Sequence, residues 1–328
     1  MNSPAAPLPP RRLDAAKFCD PLVTAQGAPR ASVAFVGLRM LWINTGTLCN
    51  ITCAHCYIDS SPRNDALAYM SAGEVTALLD EAAALQQPLQ QVGFTGGEPF
   101  LNRDLPAMLR EVLGRGLAAL VLTNAMKPML HHAEALLALA GSYGERLTLR
   151  VSLDHPDPAR HDAERGSGNF AQVMDGLAWL VRHGVAVRVA GRAGLAGEGL
   201  AGEGEAALRQ GFARLFAAHA IPLDAGDPQA LVLFPEMDAA ADVPEITTAC
   251  WDILHQRPDD LMCATARMAV KRKGADRPGV VACTLLPYDA RFELGATLAA
   301  AARPVALNHP HCARFCVLGG GSCAPPGA

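Results

Sequence analysis

Three cysteines near the start of the chain have a spacing that suits metal chemistry. Cys49, Cys53 and Cys56 are separated by three and then by two residues in the segment LCNITCAHCY. On a helix these offsets would share one face as a buried cysteine stripe, but Asn50 and Thr52 are poor helix formers. The CxxC pair within the segment is typical of zinc sites and of redox dithiols, although a redox dithiol leaves the third cysteine unexplained. A fourth interpretation is a [4Fe–4S] cluster held by three thiolates, with one iron open to another ligand.

The other cysteines are concentrated at the far end of the chain. None occurs between Cys56 and Cys250, and Cys19 stands alone. Apolar neighbours favour a core thiol at Cys250, whereas the later cysteines are candidate ligands of a second metal site. These candidates are Cys263, Cys283, Cys312, Cys316 and Cys323. His309 and His311 flank Cys312, so zinc, or a metal with a purely structural role, remains an alternative at this second site.

A glycine pair followed by a carboxylate provides a second motif. The segment TGGEP spans Thr95 to Pro99 and directly follows a predicted strand. Glycines let a backbone approach a ligand closely, so we expect Gly96 and Gly97 to contact one, and Glu98 to place a carboxylate near a cation. Bulk at Gly97 is then expected to weaken ligand binding without disturbing the cysteines. The alternative is an ordinary turn after a strand.

The elements that must position these motifs alternate between short apolar runs and helical patterns. The predicted strands are Arg39–Thr45, Gln91–Thr95, Ala118–Thr123, Leu147–Leu153, Val185–Ala190 and Leu231–Phe234. The predicted helices are Ser71–Leu85, Leu105–Arg115, His132–Ala140, Asn169–His183 and Gly204–His219. Ser71 and Glu74 form a candidate capping box. Alternating strands and helices predict βαβ units, a parallel sheet and a site at the carboxyl ends of its strands.

The remaining segments predict the domain organisation. Residues 1–35 are expected to be irregular, residues 36–240 to form the α/β core, and residues 241–328 to form a small Cys-rich domain. Within that domain, Met268–Lys273 and Gly279–Thr284 are predicted to pair as a hairpin. The Gly-rich stretch at 191–204 reads as an exposed loop, since it lacks the Lys and Ser/Thr of a phosphate-binding loop.

Composition excludes several classes of protein. The chain has 328 residues, of which 50% are hydrophobic and 18% charged, so wholesale disorder is excluded. A formal net charge of −4 without a long basic run argues against nucleic-acid and anionic-membrane partners. There is neither an apolar run of the ~20 residues that a membrane-spanning helix needs nor a signal-peptide core. We therefore expect a cytoplasmic protein, whose reduced cysteines serve as metal ligands or catalysts.

Taken together, the two motifs resemble the signature of radical S-adenosylmethionine (radical SAM) enzymes. CxxxCxxC, with the aromatic His55 before its last cysteine, follows the first predicted strand, and GGEP follows the second. The resemblance covers residues 38–240 and implies a partial (β/α)6 TIM-type barrel. It also implies reductive cleavage of SAM at a [4Fe–4S] cluster, giving a 5′-deoxyadenosyl radical that takes hydrogen from an unknown peptide or small molecule. An electron donor such as flavodoxin or ferredoxin is implied as a partner. The alternative is a non-catalytic iron–sulfur or zinc protein that carries electrons or binds a partner.

The resemblance also implies roles for particular residues. Gly96, Gly97 and Glu98 would bind the methionine end of SAM. Asn124, Ser152 and Asp154 would contact its nucleoside, although each could equally be a cap or turn residue. The C-terminal cysteines resemble a twitch or truncated SPASM extension, which would hold a second [4Fe–4S] cluster. Around the fifth predicted strand, Arg188 and Arg192 could meet a carboxylate, but a solvated face is expected for them.

Overall fold

The computed structural model describes residues 12–193, 204–235 and 238–319. Its strands are β1 (Ser32–Val33), β2 (Met40–Asn44), β3 (Gln91–Thr95), β4 (Ala118–Thr123), β5 (Leu147–Ser152), β6 (Ala186–Ala193), β7 (Leu231–Pro235), β8 (Ala266–Val270), β9 (Gly279–Val281), β10 (Glu293–Gly295) and β11 (Val305–Ala306). Its α-helices are α1 (Ala72–Ala84), α2 (Leu105–Gly114), α3 (Lys127–Leu130), α4 (Ala133–Tyr143), α5 (Pro158–Arg165), α6 (Asn169–Arg182), α7 (Glu205–Ala218), α8 (Cys250–Leu254), α9 (Met262–Thr265) and α10 (Leu298–Ala301).

Six parallel strands, β2 to β7, lie side by side in chain order. They confirm the six predicted strands and the α/β fold class with a partial TIM-type barrel. Helices connect them, because neighbouring parallel strands require crossover connections. Strands covered on both faces are mainly apolar, as the fully buried β2 (MLWIN) shows. The carboxyl ends of the six strands therefore meet at one rim.

The predicted hairpin is present and extends the same sheet. β8 pairs antiparallel with β9, and β9 pairs antiparallel with β10. β8 also pairs parallel with β2, so the order across the sheet is β10-β9-β8-β2-β3-β4-β5-β6-β7 within the described ranges. The Cys-rich C-terminal residues are thus built onto the edge of the core sheet beside the cysteine motif.

Local sequence accounts for the helix boundaries. Ser71 and Glu74 form the predicted capping box at the start of α1. The unpredicted helix α5 begins with Asp157, whose side chain accepts a hydrogen bond from the backbone of Arg160, and with Pro158 at its first position. Polar residues fill most of α5 (PARHDAER), so it has no apolar periodicity that a sequence search could detect.

The irregular N-terminal segment is attached to the C-terminal part of the chain. β1 pairs with β11, and the buried Arg30 forms an ion pair of 2.5 Å with Glu245. The strand predicted to end at Ala190 continues to Ala193, so the start of the predicted 191–204 loop belongs to β6; residues 194–203 lie outside the described ranges. In the described ranges, no helix is long and apolar enough to cross a membrane.

Candidate active site

The carboxyl ends of the parallel strands surround a cavity of about 1150 Å³, part of which is open to solvent. All nine residues predicted for the first site line it: Cys49, Cys53, Cys56, Gly96, Gly97, Glu98, Asn124, Ser152 and Asp154. They come from the loops and strand ends of β2, β3, β4 and β5. Parallel strands bring such distant segments together because their carboxyl ends share one rim.

The cysteine motif is an irregular loop. Residues 49–56 form no helix, so the buried-stripe interpretation is wrong. The backbone N–H of Cys49 donates to the Ser61 carbonyl at 3.1 Å, which fixes the start of the loop. Cys49 is buried, whereas Cys53 and Cys56 are half-buried. Burial raises the pKa of Cys49 to about 12 and also raises the pKa of Cys53.

The glycine pair packs against this cysteine loop. A Cβ at Gly97 would overlap the carbonyl oxygen of Leu48, and one at Gly96 would overlap that of Gly46. The N–H of Gly97 donates to the Gly46 carbonyl at 2.8 Å, and the N–H of Glu98 to the Leu48 carbonyl at 3.1 Å. The glycines are therefore required by protein packing. The expectation that bulk at Gly97 leaves the cysteines undisturbed stays a prediction, and this packing argues against it.

The buried side chain of Glu98 forms hydrogen bonds at the carboxyl ends of β3 and β4. It is only 2% exposed, and its carboxylate accepts hydrogen bonds from the backbone of Phe100 and Asn124 and from the Thr123 hydroxyl. Burial raises the pKa of Glu98 to about 7, although these donors lower it. The carboxylate holds the end of β4 beside the glycine pair. Its expected contact with a cation stays a prediction.

The polar residues after β4 and β5 are also held in hydrogen-bond networks. The Asn124 amide donates to the Asn50 side chain at 2.9 Å, which ties it to the cysteine loop. Asp154 accepts two hydrogen bonds, of 2.8 and 2.9 Å, from the guanidinium of Arg165. Burial alone would raise the pKa of Asp154. The adjacent Arg165 guanidinium lowers this pKa by more than burial raises it, so the net shift is downward. Ser152 lies on the cavity wall between these groups.

The last turn of α5 joins the cysteine loop to β6. The backbone carbonyl of Glu164 accepts from the N–H of Ala54 at 2.8 Å. Its carboxylate lies 2.8 Å from His55 Nδ1 and accepts a hydrogen bond of 3.1 Å from Arg192. Arg192 thus lies in the cavity wall, and its expected position on a solvated face is wrong. Sequence reasoning missed Glu164 and Arg165, since α5 itself was missed.

The residues of this site fit an iron–sulfur cluster better than a single metal ion. Within the described ranges, no three His, Cys, Asp or Glu side chains converge closely enough to hold one ion. A zinc ion needs such convergence, because its ligands share one metal atom. A [4Fe–4S] cluster takes each thiolate on a different iron, so three thiols that line one cavity suit it.

Comparison with known proteins identifies the family of one part of the chain. Residues 43–202 match the model of the Radical SAM superfamily. These residues belong to the radical SAM superfamily. The match begins in β2, and it contains both motifs and the last turn of α5.

Two curated relatives each match less than half of this chain. The chain is 34% identical over 143 residues to the antilisterial bacteriocin subtilosin biosynthesis protein AlbA of Bacillus subtilis, covering 43% of this chain and 30% of AlbA. It is 32% identical over 147 residues to the AdoMet-dependent heme synthase of Nitratidesulfovibrio vulgaris, covering 43% of this chain and 36% of the synthase. The chain spans about a third of the length of these relatives.

Solved structures show the same fold beyond the radical SAM match. Streptococcus suis SuiB bound to S-adenosylmethionine superposes with a TM-score of 0.56 at 12% identity, over 79% of this chain and 63% of SuiB. Native anSMEcpe with bound AdoMet superposes with a TM-score of 0.55 at 13% identity, over 80% of this chain and 79% of anSMEcpe. At this identity the likeness concerns the fold alone.

The C-terminal cysteines gather beside the radical SAM cavity. Cys263 lies in α9 before β8, Cys283 follows β9, and a π-helical turn at Cys312–Val317 carries Cys312 and Cys316. Burial raises the pKa of Cys312, and the nearby thiols of Cys283 and Cys263 raise it further. These three cysteines are therefore neighbours, whereas Cys323 lies outside the described residues. Phe315 of the same turn lines the cavity, and its ring centroid lies 5.4 Å from that of Phe234.

Proposed function

We propose that this chain is a radical SAM enzyme whose [4Fe–4S] cluster is held by Cys49, Cys53 and Cys56. The observation that supports this most strongly is that the three thiols share one cavity with the glycine pair and with the polar residues after β4 and β5. The bound cluster would supply the electron that cleaves SAM into methionine and a 5′-deoxyadenosyl radical, and this radical would abstract hydrogen from the substrate.

The protein's own part in this reaction is to hold and shield the reactants. The cysteine loop is held by hydrogen bonds with Asn124, which follows β4, and with Glu164 of α5. The glycine pair packs against the residues that precede the loop. The rest of the cavity wall is largely apolar and includes Leu122, Leu285 and Phe315. Such a wall excludes water, which would otherwise compete for a reactive intermediate.

The C-terminal cysteines are proposed to hold a second [4Fe–4S] cluster. Cys263, Cys283 and Cys312 are neighbours, and either Cys316 or Cys323 would supply the fourth thiolate. Because Phe315 and Leu285 of this region line the first cavity, a cluster here would lie close to the substrate. It would bind the substrate or accept an electron from it.

The substrate is proposed to be a peptide or a small molecule, with flavodoxin or ferredoxin as electron donor. AlbA, to which the chain is similar, takes part in bacteriocin biosynthesis, and another relative is a heme synthase. These relatives therefore support both classes of substrate.

The experiment uses anaerobically reconstituted protein, dithionite and SAM, with 5′-deoxyadenosine measured by liquid chromatography. We expect 5′-deoxyadenosine from the parent protein and none from the Cys49→Ala/Cys53→Ala/Cys56→Ala variant. The matched control is Cys19→Ala, which removes an exposed thiol outside the cavity and should retain cleavage. Cleavage that survives the triple change would rule out the proposed function.

A further inference from the structure

A buried arginine lies beside the C-terminal cysteines. Arg267 of β8 is only 1% exposed, and its guanidinium lies 4.3 Å from the centre of the Phe35 ring. Its Nη1 donates to the backbone carbonyl of Cys263 at 2.6 Å, so the guanidinium lies against the short helix α9 that carries this cysteine. Cys283 follows β9, the strand that pairs with β8. The guanidinium is therefore close to two of the three neighbouring cysteines.

The hydrogen bonds of Arg267 satisfy its donors without balancing its charge. Each of the three guanidinium nitrogens donates to a backbone carbonyl, at distances of 2.6 to 2.9 Å. The accepting carbonyls belong to Cys263, Ala266, Ala301 and Arg303. A carbonyl carries no net charge, whereas a guanidinium is charged at neutral pH. These bonds alone leave a buried positive charge without an anion.

The charge of Arg267 acts on cysteines and not on a carboxylate. In the part of the chain that the structure describes, three ionisable groups influence it: Cys263 and Cys283, which favour the charge, and Arg303, which opposes it. A buried charge is costly unless an opposite charge accompanies it. A thiol is neutral while protonated and becomes a thiolate when it binds a metal. Metal binding at these cysteines would therefore create the anion that Arg267 lacks.

We propose that Arg267 is the counter-charge of the metal–thiolate centre at Cys263, Cys283 and Cys312, and that it raises the reduction potential of this centre. The proposal rests on the proposed function, since it concerns the second cluster proposed there. A nearby positive charge favours the more negative, reduced state of a cluster, and net charge is one of the factors that set the potential. Arg267 would thus make this cluster a better electron acceptor.

The test uses the Cys49→Ala/Cys53→Ala/Cys56→Ala variant reconstituted with iron and sulfide, in which any cluster is the second one. Its midpoint potential is measured by dithionite titration followed by electron paramagnetic resonance. Arg267→Gln, in this background, removes the charge and keeps a hydrogen-bonding side chain. We expect reduction to become at least about tenfold less favourable, which lowers the potential by about 59 mV for one electron. An unchanged potential would overturn the proposal.

Arg267→Lys distinguishes the charge from the hydrogen bonds. Lysine keeps the positive charge, but its single ammonium group cannot replace the planar fork that joins the four carbonyls. We therefore expect Arg267→Lys to keep a potential closer to that of the parent than Arg267→Gln does, even where both lower the melting temperature. If Arg267→Gln fails to fold or to hold iron, retention of iron at the parent potential in Arg267→Lys supports the proposal. Equal losses in both variants would make Arg267 a structural cross-link only, and would overturn it.

The control is an arginine with similar contacts elsewhere in the fold. The Arg146 guanidinium lies 5.1 Å from the centre of the Tyr143 ring and donates to the Leu113 carbonyl, and Arg146 directly precedes β5. Arg146→Gln should leave the potential unchanged.

The metal found in the triple variant separates this proposal from the proposed function. Four irons with a potential that does not respond to Arg267→Gln would overturn the proposal and leave the second cluster standing. If zinc replaces iron, affinity for Zn²⁺ is measured by competition with a chelator; about a tenfold loss in Arg267→Gln, but not in Arg267→Lys, would support the counter-charge, and equal affinities would overturn it. Absence of any metal would also overturn it, whereas 5′-deoxyadenosine formation by the parent protein reports on the first cluster independently.

Discussion

The carboxylate of Glu164 lies 2.8 Å from Nδ1 of His55, so the last turn of α5 is bonded to the middle of the cysteine loop. The same carboxylate accepts a hydrogen bond from Arg192, and the Glu164 backbone carbonyl accepts another from Ala54. A loop of irregular backbone needs such external partners, since it satisfies few of its own polar groups. Glu164 therefore links the proposed cluster site to β6, which carries Arg192.

Replacing Glu164 should loosen the cysteine loop without unfolding the barrel. In Glu164→Ala the hydrogen bond from Arg192 and the contact with His55 are lost, each costing about 1–3 kcal/mol. We expect faster loss of iron from the reconstituted protein during gel filtration and a shifted electron paramagnetic resonance spectrum of the reduced cluster. Asp175→Asn, on the exposed face of α6, is the matched control. Iron retention and a spectrum equal to those of the control would contradict this role.

Enlarging Gly97 should damage the cysteine loop directly. In Gly97→Ala the new methyl group overlaps the Leu48 carbonyl oxygen, and Leu48 precedes Cys49. Overpacking of this kind costs about 1–3 kcal/mol, so the free energy of unfolding should fall by that amount and iron content should fall with it. Gly73→Ala is the control, because a Cβ there meets no atom within 4 Å. It should be neutral or stabilising by about 0.5–1 kcal/mol, since glycine disfavours a helix interior. A normal iron content in Gly97→Ala would show that the loop can shift at no cost.

The second cluster is tested on protein that lacks the first. In the Cys49→Ala/Cys53→Ala/Cys56→Ala variant, Mössbauer spectroscopy should find about four irons per chain as [4Fe–4S], because the C-terminal thiolates form a separate set. Adding Cys312→Ala should remove these irons and lower the melting temperature, since a metal bound only by the folded state stabilises it. Adding Cys19→Ala should do neither. Zinc in place of iron would identify a structural site, and absence of both metals would mean that these cysteines are ordinary buried thiols.

The ion pair between Glu245 and Arg30 should make stability depend on pH. Burial raises the pKa of Glu245. Hydrogen bonds from Phe18, Ala25 and Arg30 lower this pKa by more than burial raises it, so it lies below the ordinary value of 4.5. Its stabilising contribution is therefore complete above pH ~4.5 and is lost as the pH falls through the lower folded-state pKa. Glu245→Gln should cost about 3–5 kcal/mol at pH 7, because it leaves the buried Arg30 charge unpaired.

Urea unfolding of the parent and of Glu245→Gln between pH 7 and pH 3 provides the measurement. The difference in free energy of unfolding should shrink as the pH falls below about 4.5. Glu145→Gln, at an exposed carboxylate, should show no such trend. A difference that stays constant down to pH 3 would mean that Glu245 does not titrate with folding.

The sequence by itself determined the scaffold and the position of its first site. Short, mainly apolar runs such as Ala118–Thr123 predicted the strands closely, because a strand buried on both faces is mainly apolar. The CxxxCxxC and GGEP motifs followed successive strands, and parallel topology then required them to meet at one rim. Residue type and spacing along the chain were sufficient for these conclusions.

Tertiary structure alone decided what the motif residues do for the protein itself. The sequence suggested contact with a ligand at Gly97, and the fold also packs this glycine against Leu48. It suggested contact with a cation at Glu98, and the fold also supplies backbone donors to this carboxylate. Likewise, polarity suggested a solvated face for Arg192, which the sheet turns into the cavity. Local sequence shows which groups a residue carries. The partners of those groups can lie more than a hundred residues away along the chain, as Glu164 does from His55. Only the folded chain brings such residues together.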